Sequence, residues 1–210
     1  MFQGVGCGAN DLYPGILNQP ETIITDKQDN YIAVIDSITD HYGARETRVS
    51  VPVVNKINKD GTTLWTKTLD SDNGLGWITR ASTDNDNNII IAHQPGSLNV
   101  VLKFDPSGNT LWKTTLPSDI IGFERMREIT VDNENNIYII GDSKSPKWVA
   151  LVRLSPDGEV LGKKLYNGLG SEYYGNSIRY VSDKKLVLLT TKFSPFEAAV
   201  LYMSNGFGLL

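Results

Sequence analysis

A turn signature recurs four times along the chain at a nearly constant step, and that recurrence restricts the fold more than any other feature. Asp60-Gly61, Ser107-Gly108, Asp157-Gly158 and Asn205-Gly206 lie 47, 50 and 48 residues apart, glycine to glycine. Each glycine is followed three positions later by leucine (Leu64, Leu111, Leu161, Leu209); Trp65 and Trp112 come next in the first two copies, Gly162 and Leu210 in the others. A large apolar residue stands four positions before each glycine (Ile57, Phe104, Leu154, Tyr202). A basic residue precedes it in three copies (Lys56, Lys103, Arg153), and Leu201 does so in the fourth. A second landmark keeps step with the first. Thr25-Asp26, Thr83-Asp84 and Val131-Asp132 lead through polar stretches into the apolar runs 31–34, 89–92 and 137–140, and Leu186–Leu189 supplies the fourth run. A period of this length marks stacked structural repeats.

The punctuation of one unit dictates its local structure. Asp-Gly and Asn-Gly tolerate positive φ at successive positions, which predicts two-residue hairpin turns. The Asp- and Asn-rich stretches predict turns as well, because their side chains hydrogen-bond their own backbone. Each unit therefore holds two hairpins, or four short strands A to D from inside outward. Strand B is apolar at successive positions and is expected to be buried on both faces, strand C mixes apolar and charged residues, and strand D is Thr-rich and half exposed. No window shows a helical period. Sheets apolar on both faces must stack on one another, and radial stacking gives an all-β propeller of four-stranded antiparallel blades, about four of them visible in the chain. The units run approximately 21–70, 77–117, 126–167 and 176–210 in a single domain, and residues 1–20 are expected to close the last blade or form its connecting loop, removing an open sheet edge.

The run from Leu102 to Trp112 (Leu-Lys-Phe-Asp-Pro-Ser-Gly-Asn-Thr-Leu-Trp), the run from Ile129 to Gly141 and the copy Val152–Gly158 together resemble the SBBP-type β-propeller repeat of bacterial surface and secreted proteins. The resemblance extends from about Glu21 onward. It implies a propeller, usually of seven blades, and no single activity, since propellers serve many functions. A four-bladed ring, an oligomeric ring and an excerpt from a longer propeller are all compatible with it.

Composition narrows the functional classes. With 20 Lys and Arg against 24 Asp and Glu, the net charge is −4, so no nucleic-acid partner is expected. No apolar run reaches the roughly 18 residues of a membrane-crossing helix, so no membrane span is expected. The single Cys7 excludes an internal disulfide framework and a multi-cysteine zinc site. The N-terminus has neither a basic n-region nor an apolar h-region, so no signal peptide is expected. No cofactor is expected: Gly4, Gly6 and Gly8 precede no strand–helix unit. Nor is a metal, since Asp84, Asp86 and Asn88 have the alternate spacing of oxygen ligands but Ile89 and Pro95 stand where a calcium loop needs Gly and Glu.

Candidate functional residues fall in the D-to-A loops, which share one face of a propeller with the B–C loops. Three of these segments combine aromatic with basic or polar residues: Trp77, then Phe123, Arg125 and Arg127, then Tyr173 and Tyr174. Such residues can anchor a protein partner or stack on sugars, or they can fill the gaps between blades. An insertion in the first unit, Asp36–Arg48, carries His41 and Arg45 and is either a specificity loop or a plain surface hairpin. On strand A, Arg80 lies in register with Glu128, with Glu21 or Thr22 and Arg179 in comparable places, forming either a partly cationic pore mouth or an alternating ring of satisfied charges. His41 and His93 lie in different units, and no nucleophile elbow, P-loop or His-Glu-x-x-His motif occurs. The expected role is a non-enzymatic binding or structural module with a protein or glycan partner, on a cell surface, secreted or in a virion (phage tail or capsid accessory). A homo-oligomer or larger assembly is among its expected states. A glycan-active or other hydrolytic propeller enzyme is the competing reading.

Overall fold

The computed structural model describes residues 16–41, 47–69, 77–95, 98–116, 123–143, 148–166, 173–181, 185–193 and 196–204. These residues form fifteen strands and no helix. Four antiparallel sheets follow one another along the chain, each a meander whose strand order is its sequence order. Blade 1 holds β1 (Ile16–Thr25), β2 (Tyr31–His41), β3 (Thr47–Ile57) and β4 (Thr63–Thr68). Blade 2 holds β5 (Trp77–Thr83), β6 (Ile89–Gln94), β7 (Asn99–Phe104) and β8 (Thr110–Leu116). Blade 3 holds β9 (Phe123–Val131), β10 (Ile137–Ser143), β11 (Val149–Leu154) and β12 (Val160–Tyr166). Blade 4 shows three strands, β13 (Tyr173–Val181), β14 (Lys185–Phe193) and β15 (Phe196–Ser204). The first strands of successive blades pack side by side, β1 on β5, β5 on β9 and β9 on β13, so the blades fan around an axis lined by strand A. This is the propeller arrangement.

Burial follows the expected gradient. Every residue of β6 and β10 is buried, whereas β4 and β8 alternate between exposed and half-buried. Apolar clusters fill the three seams between blades: Ile32, Val34 and Val54 of blade 1 meet Ile89, Ile91 and Phe104 of blade 2. Ile90 and Ala92 then meet Ile137 and Ile139, and Tyr138 and Ile140 meet Leu186 and Leu188. Each blade thus offers one face forward and one backward.

Three local expectations need correction. The described turns between strands C and D hold one left-handed residue each, not two, at Gly61, Gly108 and Gly158; the Asp- and Asn-rich stretches between A and B form turns as expected, with Asp29, Asn87 and Asn135 left-handed. Between strands C and D a four-residue turn plus one bulged position, marked by register shifts at Lys56/Ile57, Lys103/Phe104 and Arg153/Leu154, supplies the twist that two positive φ values would otherwise provide. In blade 4 the buried counterpart of Phe104 and Leu154 is Met203, which pairs with Leu186, while Tyr202 points to the opposite face. Counting back from Gly206 misplaces that position by one. Finally, Ile16–Pro20 belong to β1 and pair with Thr39–Ile35 of the same blade, so they do not close blade 4; residues 1–15 lie outside the described residues.

Candidate functional site

Each inner strand carries an extra residue at the same height. The register jumps from Pro20 to Thr22, from Met126 to Glu128 and from Gly175 to Ser177, leaving Glu21, Arg127 and Asn176 unpaired at equivalent bulges. A bulge re-aims its side chain and bends the strand, a device common beside functional sites. Close backbone approach at this level demands glycine: a Cβ on Gly141 would strike the Arg125 carbonyl, and one on Gly175 would lie 2.6 Å from Ile140.

The bulges organise a chain of charges around the axis. Arg80 reaches Glu21 at 3.7 Å and donates from Nε to the Arg127 carbonyl at 2.8 Å. Arg127 holds the buried Asp142 at 2.7 Å, and the other oxygen of Asp142 accepts a hydrogen bond from the Gly175 amide of blade 4. Gln94, the counterpart of Asp142 in blade 2, accepts in the same way from the Met126 amide of blade 3. Arg179 closes the series on Glu128 at 3.1 Å. The arginines and carboxylates therefore alternate and satisfy one another. Arg80 and Glu128 are in register with Thr22, as the repeat predicts, but the fourth counterpart is Ser177; Arg179 lies two residues further along and reaches back.

Blade 1 breaks the pattern. Where blade 3 sets Arg127 against Asp142, blade 1 sets two carboxyl groups, Glu21 and Asp36, at the corresponding places. Burial and the charge of Asp36 raise the Glu21 pKa above the ordinary carboxylate value, with Arg80 opposing. Beside this level the axis opens into a cavity of about 420 Å³, lined by residues 22–25 of β1, residues 81–83 of β5 and residues 128–130 of β9, with Arg179 at its side. A second space, about 60 Å³ beside the buried His93, is walled by Leu69, Leu98 and Val100.

The aromatic candidates divide. Phe123 is 1% exposed inside the seam of blades 2 and 3, and Tyr173 is buried in the next seam with its hydroxyl on Glu197 at 3.1 Å. Both fill gaps between blades, so neither ring is offered to a ligand. Arg125 is exposed and Tyr174 half-buried on the rim where the D-to-A loops arrive. The Trp77 backbone starts β5 opposite Gln94, and His41 pairs with Thr47 at the tip of an extended β2–β3 hairpin, so the insertion lengthens two strands. Arg45 and most of the loop face lie outside the described residues. Among the described residues no group of three His, Cys, Asp or Glu side chains is disposed to hold a metal, and no helix is long and apolar enough to cross a membrane.

What the repeat did not disclose is how its turns clasp one another. Asp84 ties its own turn, accepting from the amides of Asp86 and Asn88, while its carboxylate pairs with Lys103. Asn87 and Asn135, the left-handed residues, accept hydrogen bonds from the Lys27 and Asn85 amides of the preceding blade. Lys56 and Trp65 both donate to the Pro106 carbonyl, and Lys103 and Trp112 both donate to that of Pro156. The sequence signal was available: the Asp and the basic residue occur together in three copies, and in the fourth Val181 and Tyr202 stand in their places.

No family model and no curated protein sequence matches the chain. Solved structures do. A glycoside hydrolase superposes with a TM-score of 0.50 at 17% identity over 92% of this chain and 46% of its own. A protein from Lactobacillus plantarum superposes with a TM-score of 0.54 at 14% identity over 91% of this chain and 69% of its own. The chain spans about half the length of the first of these. At such identities the likeness is one of fold, and the fold of this chain is the all-β propeller.

Proposed function

We propose that the chain is a non-enzymatic binding or structural module, built from repeats of the SBBP type, that presents its loop rim to a protein or glycan partner at a cell surface or in a virion. The observation that carries this reading is the mutual neutralisation along the axis. Glu21, Glu128 and Asp142 are engaged by Arg80, Arg179 and Arg127, so these charges around the axis are occupied, two of the three pairs joining neighbouring blades. The surface on offer to a partner then includes the axial cavity and exposed rim groups such as Arg125. Titration of the chain against a panel of oligosaccharides and peptides, followed by calorimetry, tests it: saturable binding weakened at least tenfold by Arg125→Ala, with the substrate recovered unchanged, is the expected result.

A second reading rests on the Glu21–Asp36 pair. A carboxyl group with a raised pKa beside a buried carboxylate is the arrangement of a proton donor and its ionised partner in glycoside hydrolysis, and one structural neighbour is named a glycoside hydrolase. Hydrolysis of aryl glycosides that disappears in Glu21→Gln would establish this reading over the first.

A further inference from the structure

The two end blades leave bare the surfaces that every other blade buries. On the backward face of blade 1, Ile23 is 65% exposed, whereas its counterparts Ala81, Ile129 and Ile178 are at most 5% exposed. Tyr31 is 40% exposed where Ile89, Ile137 and Leu186 are sealed. The turn glycine Gly61 has nothing within 4 Å, whereas Gly108 lies under Trp65 and Gly158 under Trp112. On the forward face of blade 4, Leu189 is 41% exposed where Val34, Ala92 and Ile140 are fully buried, and Val181, Val200 and Tyr202 are exposed beside it. β13 and β1 do not pack on each other as the other neighbouring inner strands do.

We propose that the occupant of these faces is a second copy of the chain, joined head to tail: the forward face of blade 4 seats on the backward face of blade 1 of the other copy, and two copies close one ring. Three observations identify the occupant. A forward face in this fold is covered, at all three internal seams, by the backward face of a blade from this same repeat. Among the described residues the backward face left uncovered is that of blade 1, so each copy supplies the surface the other lacks. The forward face of blade 4 has also exchanged the buried Asp–Lys pair of blades 1 and 2 for Val181 and Tyr202. That exchange removes the buried ammonium that donates to the next blade's turn carbonyl and leaves a seam made by apolar contact. A heterologous contact of this kind yields a closed ring when its rotation closes. Completion of the outer edge of β15 by a fourth strand is a separate matter, since it concerns an edge and not a face.

Light scattering of the full chain at micromolar concentration is expected to give twice the 23.2 kDa monomer mass. Ile23→Glu and Leu189→Glu each place a charge on one of the two faces and are expected to give monomers whose circular dichroism retains the β signal, since both side chains are exposed in the single chain. Mixing the two variants is expected to restore a dimer, because one seam then joins two unaltered faces; labelling one variant and measuring co-migration reads this directly. A monomeric wild type, a dimer indifferent to both charges, or two variants that fail to recombine would each overturn the proposal.

Discussion

Lys103 and Asp84 form an ion pair 2.9 Å long in which both side chains are almost wholly buried, and the same ammonium donates to the Pro156 carbonyl of the following blade. One cation thereby ties together the turn before β6, strand β7 and the neighbouring sheet. Removing one partner of a buried pair leaves the other charge stranded, so Lys103→Met is expected to cost about 3–5 kcal/mol. Urea unfolding measures it, and a loss below about 1 kcal/mol would show that the pair is no more than a surface contact.

The glycine turns supply an internal control. Gly61 and Gly158 share the same left-handed conformation, φ +87, but a Cβ on Gly61 meets open space whereas one on Gly158 meets Thr114 at 2.7 Å and Trp112 at 2.9 Å. In the isolated chain Gly61→Ala is expected to cost only the backbone penalty of about 1–2 kcal/mol. Gly158→Ala is expected to add about 1–3 kcal/mol for the crowding of Thr114 and Trp112. Equal melting shifts in the two variants would contradict the stacking of blade 2 on blade 3.

Acid should weaken the seams within a definite window. Burial alone would raise the Asp26 pKa, but the Asn30 amide, the Lys56 ammonium and the turn amides outweigh it and hold the carboxyl down to about 2; Asp84 is lowered by the corresponding partners. A carboxyl group depressed in the folded state stabilises it above the unfolded pKa and loses that stabilisation as pH falls through the folded value. Stability is therefore expected to decline from about pH 4 toward pH 2. In Asp26→Asn the decline over that interval should be shallower, which a series of thermal melts would reveal.

Two axial ion pairs should behave differently. The Asp142 carboxylate is 1% exposed and also caps the Gly175 amide, so Arg127→Ala is expected to destabilise by about 2–4 kcal/mol. The Arg179 side chain is 63% exposed, and Arg179→Ala is expected to change stability by less than about 1 kcal/mol. Salt titration separates them further, because the exposed pair is screened more strongly than the partly buried one.

The double hairpins, the all-β class and the radial stacking were legible because they follow from periodicity and turn chemistry within one unit. The charges of the inner strands were partly legible, since register alone sets Arg80 level with Glu128. Contacts that join residue n to residue n+50 were not. The sequence marks Asn87 as a turn residue, yet its amide oxygen serves the Lys27 amide of another blade, a partnership that exists only once the sheets are side by side. The place of Phe123 and Tyr173 in the sequence points to the rim, but β9 and β13 start before the boundaries of their repeats and carry those rings into a seam. The bulges at Glu21 and Arg127 left no mark in the apolar pattern, because one extra residue in a strand only shifts its phase.

The tryptophan laid over the next blade's glycine has a direction, since the donor sits on one side of a module and the acceptor on the other. Every junction of that kind is cut to one template, and a whole module could be inserted or excised without redesigning those that remain. Circumference in such a lineage is then a quantity set by duplication of genetic segments, and the joinery carries over unchanged from one ring size to the next.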